Sequence, residues 1–127
     1  MTDTHLPPLK RVLVVDDNEP SAQTLAWAME MYGCDVRACH DGQSALAEAE
    51  TFRPDIVLLD LGMPVMDGFE VCRRLRGHPD LKSVTVVAQS GWGSPDVRAK
   101  TTAAGFDHHL VKPLNLDQLA DLIGLIH

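Results

Sequence analysis

Cysteine is scarce in this chain and poorly placed for scaffolding. Cys34, Cys39 and Cys72 are odd in number and contain no C-x-x-C pair, so neither a disulfide framework nor a zinc site is indicated, and a reduced compartment fits better. Positive charge is also short, with 11 Lys and Arg against 18 Asp and Glu and a formal charge of −7. Nucleic acids and anionic membranes need clustered cations, so proteins or cations are the expected partners and no direct nucleic-acid contact is expected. No apolar run approaches the ~18 residues of a membrane span. The opening "MTDTHLPPLKR" has no basic leader followed by an apolar stretch. Internal repeats and low-complexity tracts are lacking too. These absences point to a soluble, cytoplasmic protein. Its 127 residues make one domain, a size at which roughly two thirds of the unfolded surface is buried.

What is present is an alternation. Apolar runs of strand length, "RVLVVD" (11–16), "DVRAC" (35–39), "DIVLLD" (55–60), "VTVVAQ" (84–89) and "HHLV" (108–111), are separated by segments of helical period. That pattern predicts an α/β domain, (βα)5, built on a five-stranded parallel sheet. Runs one, three and four are apolar almost throughout, as strands covered on both faces must be, while the second and fifth read as edges. Pro20 can open the first helix, where Ala22, Leu25, Ala26 and Met29 recur until Gly33 stops it. Asp41 caps a second helix ending before Pro54. Asp67 with Glu70 forms a capping-box pattern for the third. Ser94 and Pro95 open the fourth, which Gly105 closes, and Asn115 with Gln118 starts the last, striped by Leu119, Leu122, Ile123 and Ile126. Residues 1–8 are expected to be a disordered leader and 9–127 the folded domain.

Open parallel sheets bind ligands beyond the carboxyl ends of their strands. Asp16 and Asp17 follow the first run, Asp60 closes the third, Ser90 follows the fourth and Lys112 the fifth. Two like charges ~4 Å apart repel by about 4 kcal/mol at an effective dielectric near 20, so such a cluster must protonate or bind a cation. Oxygen ligands favour Mg²⁺ over zinc. A metal, a lysine and a hydroxyl around a lone carboxylate are also the parts for moving a phosphoryl group onto that carboxylate, with Asp60 as nucleophile.

The segments "VVDDNEP", "DIVLLDLGMPVMDGFEV", "VVAQSG" and "LVKP" resemble, in order and spacing, the acidic pair, phosphoacceptor, hydroxyl and lysine motifs of two-component response-regulator receiver domains. The style of "LDLGMPVMDG" and "DHHLVKP" is closest to stand-alone receivers and those of hybrid sensor kinases. The resemblance implies a flavodoxin-like three-layer sandwich with strand order 2-1-3-4-5. It also implies a signalling phosphoacceptor, not an enzyme, that assists its own phosphorylation and dephosphorylation. Asp60 would take the phosphoryl group from a histidine kinase or histidine phosphotransfer domain. Asp17, Asp60 and the Gly62 carbonyl would bind Mg²⁺, with Mn²⁺ able to substitute and Asp16 acting through a bound water. Ser90 and Lys112 would hold phosphate oxygens, and the Lys112–Pro113 bond would be cis. Phosphorylation would repack the face formed by helix 4, strand 5 and helix 5, which reads out to a downstream protein target. The chain would be a monomer or weak dimer.

The chain departs from the family pattern at His109 and in the Gly91-Trp92-Gly93 stretch that follows Ser90. His109 occupies the position of the usual Tyr or Phe rotamer switch. Trp92 and Gly62 occupy positions that tune water access to the phosphoaspartate. The alternatives are an aspartyl-nucleophile phosphatase, a flavodoxin-like nucleotide binder, and a receiver fold serving only as an interaction module.

Overall fold

The structure, a computed structural model, describes residues 10–91, 93–122 and 124. The expected leader (1–8), Trp92, and Ile123 and Ile126 of the last stripe lie outside the described residues. The described strands are β1 (Arg11–Val15), β2 (Asp35–Cys39), β3 (Ile56–Asp60), β4 (Thr85–Ser90) and β5 (His108–Val111). They alternate with helices α1 (Glu19–Met31), α2 (Gly42–Phe52), α3 (Gly68–Gly77), α4 (Pro95–Ala104) and α5 (Leu116–Leu122). Every pairing is parallel and the order is β2-β1-β3-β4-β5. The flavodoxin-like (βα)5 sandwich is therefore the fold, with β2 and β5 at its edges.

The strand period of two sorts the core into two layers. Val12, Val14, Ile56, Leu58 and Val87 meet α1 through Ala22, Leu25 and Met29, and α5 through Leu119. Leu13, Val15, Val57, Leu59, Val86 and Ala88 face the other way, onto Ala45 and Ala49 of α2 and Val71, Cys72 and Leu75 of α3. The three cysteines are buried and form no disulfide, Cys34 in one layer and Cys39 and Cys72 in the other.

Side-chain caps start the helices. Asp41 accepts from Ser44 N–H, Asp67 from Glu70 N–H and Ser94 from Val97 N–H. Asn115 accepts from Gln118 N–H. Helix α1 begins one residue earlier than Pro20 suggests. Asn18 is its cap, accepting from Ser21 N–H at 2.9 Å, so Pro20 sits second in the helix. The Asp67 box is closed on one side only, since the Glu70 carboxylate turns to Arg73 and Arg74. Ser90, expected just past its strand, is the last residue of β4, where it pairs with Val111.

Val65, in the loop between β3 and α3, combines φ 66° with full exposure. A β-branched residue in the left-handed region is strained by roughly 1–2 kcal/mol, and nothing is buried in exchange. Val65→Gly should therefore raise stability by about 1 kcal/mol, less whatever glycine adds to unfolded-chain entropy. Chemical denaturation of the two proteins measures the difference.

Candidate functional site at the strand tips

Parallel strands end on one side of the sheet, which is why residues far apart in sequence meet here. Asp16 follows β1 and is only 2% exposed. Its Oδ1 accepts from Asn18 N–H (3.0 Å) and its Oδ2 from Lys112 Nζ (3.2 Å). Asp17, the next residue, is exposed. Asp60 ends β3, is 8% exposed, and accepts from Gly62 N–H through Oδ1 at 3.2 Å. Lys112 lies one residue past β5, before a cis peptide to Pro113, and its Nζ is also 3.7 Å from Asp60 Oδ1. The lysine thus bridges two of the three acids.

One oxygen from each of Asp16, Asp17 and Asp60 lies within 4.8 Å of the others. Burial, opposed by the Gly62 N–H and the Lys112 cation but reinforced by Asp16, pushes the Asp60 carboxyl above the usual carboxylate range. A carboxylate with a raised folded pKa binds its proton more readily in the folded than in the unfolded chain. Stability therefore falls as pH rises from the ordinary carboxylate value through the raised one, and above the raised value the whole penalty is present. Asp60→Asn should then stabilise the metal-free protein above the raised value by about 1 kcal/mol, chiefly because a buried charge is removed and secondarily because the repulsion from Asp16 is relieved. The gain should vanish below the ordinary carboxylate value, and thermal unfolding across pH reads both limits.

A donor set of oxygens crowded this closely fits a hard divalent cation such as Mg²⁺, which takes one or two carboxylates alongside water and phosphate.

Ser90 is 2% exposed, and its hydroxyl lies 2.9 Å from His109 Nε2. His109 Nδ1 is 3.5 Å from the hydroxyl of buried Thr101 in α4. His109 therefore joins the strand-tip hydroxyl to a helix. Gly62 leaves its side of Asp60 open, since a Cβ placed there would come no nearer than 4.0 Å to Asp60 Oδ1. A cleft of about 630 Å³ opens beside Lys112, lined by Asp16, Pro20, Leu25, Gln89 and Pro113 among others.

Three contributors escaped the sequence reading. Asn18 N–H, which fixes Asp16, is a backbone group and leaves no side-chain signal. His40, whose Nδ1 lies 3.1 Å from the Asp16 carbonyl, follows the tip of β2, so extending the strand-end rule to that edge would have found it. Thr101 belongs to a helix whose pattern carries no mark of its contact.

The family model "Response regulator receiver domain" matches residues 12–124. Response regulator MprA of Mycobacterium tuberculosis (strain H37Rv) is 38% identical over 109 residues, which are 86% of this chain and 46% of that protein. The chain thus spans about half the length of the curated relatives it matches. Among solved structures, the Vibrio cholerae chemotaxis protein CheY4 superposes with a TM-score of 0.88 at 30% identity, covering 94% of this chain and all of that one. The signal receiver domain of a signal transduction histidine kinase from Syntrophus aciditrophicus superposes with 0.82 at 29% identity, over 91% of this chain and 87% of that one. Strand order, clustered acids and these matches agree: the chain belongs to the response regulator receiver domain family of two-component systems.

Proposed function

We propose that Asp60 is the phosphoacceptor of a cytoplasmic two-component phosphorelay, taking its phosphoryl group from a phosphohistidine of a histidine kinase or a histidine phosphotransfer domain. The observation that carries this is the Lys112 ammonium between Asp16 and Asp60. In the transfer the donor's N–P bond breaks, a bond forms between phosphorus and an Asp60 carboxylate oxygen, and the imidazole leaves. Exposed Asp17, Asp60 and the Gly62 carbonyl would hold Mg²⁺ or Mn²⁺ directly. Asp16, whose oxygens already serve Asn18 and Lys112, would hold it through water. The bound cation supplies positive charge against the phosphoryl oxygens. Lys112 adds a second positive charge, and Ser90 offers its hydroxyl to another oxygen.

Transfer turns one carboxylate into a group carrying roughly −1.5 to −2 charge. The added charge would bias the α4–β5–α5 face between two packings, which a downstream protein reads. The role is that of a signalling phosphoacceptor promoting its own phosphorylation and dephosphorylation.

The test is incubation with Mg²⁺ and acetyl phosphate. One acid-stable, base-labile phosphate per chain is expected, lost on chelation and absent from Asp60→Asn. Labelling that survives Asp60→Asn overturns the assignment. Sustained turnover of phosphoesters would indicate the phosphatase alternative, and no labelling would indicate the interaction module. Neither alternative is favoured by the family match.

A further inference from the structure

Hydrogen-bond direction around His109 follows from counting protons. A hydroxyl has one proton to give. Thr101 donates its own to the Arg98 carbonyl in the preceding turn of α4, at 2.9 Å. Toward His109 Nδ1, Thr101 Oγ1 can therefore only accept, so Nδ1 carries the hydrogen. In the neutral ring Nε2 is then an acceptor, and Ser90 gives it the hydroxyl proton at 2.9 Å. The chain runs one way, from Ser90 through His109 and Thr101 to the Arg98 carbonyl.

A phosphoryl group on Asp60 competes for the first proton in that chain. Hydrogen bonds to an anionic oxygen are roughly twice as strong as neutral ones, so the Ser90 proton turns to the phosphoryl oxygen and is withdrawn from Nε2. The Ser90 oxygen still has a lone pair facing His109. The contact is restored if Nε2 acquires a proton through water and Nδ1 releases one, with no change in charge. Nδ1 then becomes an acceptor and takes the Thr101 proton, which leaves the Arg98 carbonyl.

We propose that Ser90, His109 and Thr101 form a hydrogen-bonded chain whose direction reverses when Asp60 is phosphorylated, so that α4 loses the Thr101–Arg98 bond. His109 is a positioning residue in this scheme: it transmits the state of Ser90 through its tautomer, without an aromatic ring changing place. The inference rests on Asp60 being the phosphoacceptor. Arg98 is tied to the same strand by an Nη1 contact to the His109 carbonyl at 3.4 Å, so the turn released is already linked to β5.

The experiment is nitrogen-15 NMR of histidine-labelled full chain, before and after acetyl phosphate and Mg²⁺, with intact mass recording phosphate uptake separately. The expected result is the Nδ1–H tautomer of His109 before uptake and the Nε2–H tautomer after it. Thr101→Val should take up phosphate yet lose both the reversal and the accompanying amide shifts in α4, and Thr101→Ser should restore both. Uptake with an unchanged tautomer overturns the chain while leaving the phosphoacceptor reading intact. The Nε2–H tautomer before uptake also overturns the chain. No uptake by the unmodified protein overturns both.

Discussion

Gly68→Ala should lower the unfolding free energy by about 3 kcal/mol, at the upper end of the usual cost of forcing atoms into a packed site, and slow phosphoryl uptake about a hundredfold. Gly68 is the first residue of α3, and it lies directly against the backbone that carries Asp60. A Cβ added there would sit 2.5 Å from the Asp60 carbonyl oxygen and 2.9 Å from Leu61 Cα. Both neighbours are main chain at a strand end, so no side-chain rotation relieves the overlap. Either α3 moves outward, losing the contacts of Val71 and Leu75, or the Asp60 tip shifts away from Lys112. Denaturant titration reads the first outcome and the acetyl phosphate assay the second. Retention of both stability and uptake would show that α3 can recede without cost.

Arg76→Ala should cost about 2–3 kcal/mol, appearing as a fall of roughly 2 M in the urea midpoint. The side chain is 22% exposed and serves four acceptors. Its guanidinium donates to the Gly105 carbonyl through Nε (2.9 Å) and Nη2 (2.7 Å), and to the Lys82 and Val84 carbonyls through Nη1. It also donates through Nη2 to Asp107, whose same oxygen accepts from Val86 N–H. One residue of α3 thereby ties the entry of β4 to the end of α4. Alanine leaves partly buried carbonyls without donors, and that carries the penalty. Arg76→Lys keeps the charge and loses the fork, so it should recover less than half of the loss. A shift no larger than that of an exposed arginine would refute the clamp.

The readable part of the molecule was whatever depends on near neighbours in sequence. Strand bounds agree to within a residue or two, because each run had to be apolar where it is covered. Asp41, Asp67, Ser94 and Asn115 cap the helices they precede. Periodicity does not encode which strand lies beside which, so the 2-1-3-4-5 order came from the family resemblance. The strand-end rule picked out Asp16, Asp17, Asp60, Ser90 and Lys112, and the structure brings Lys112 to 3.2 Å from Asp16. Arg76 looked like any surface arginine, since its acceptors are carbonyls that every residue possesses. The left-handed conformation of Val65 was invisible too, because valine is among the least suited residues for it. His109 was visible as a departure from the usual aromatic residue, but its partner Thr101 was not.

Lys112 and Asp16 are 96 residues apart in the chain, and one hydrogen bond joins them. During synthesis Asp60 leaves the ribosome well before β5 exists, so an emerging chain holds the acceptor without the cation that steadies it. The strand-tip cluster of Asp16, Asp60 and Lys112 is thus completed only when the edge strand docks.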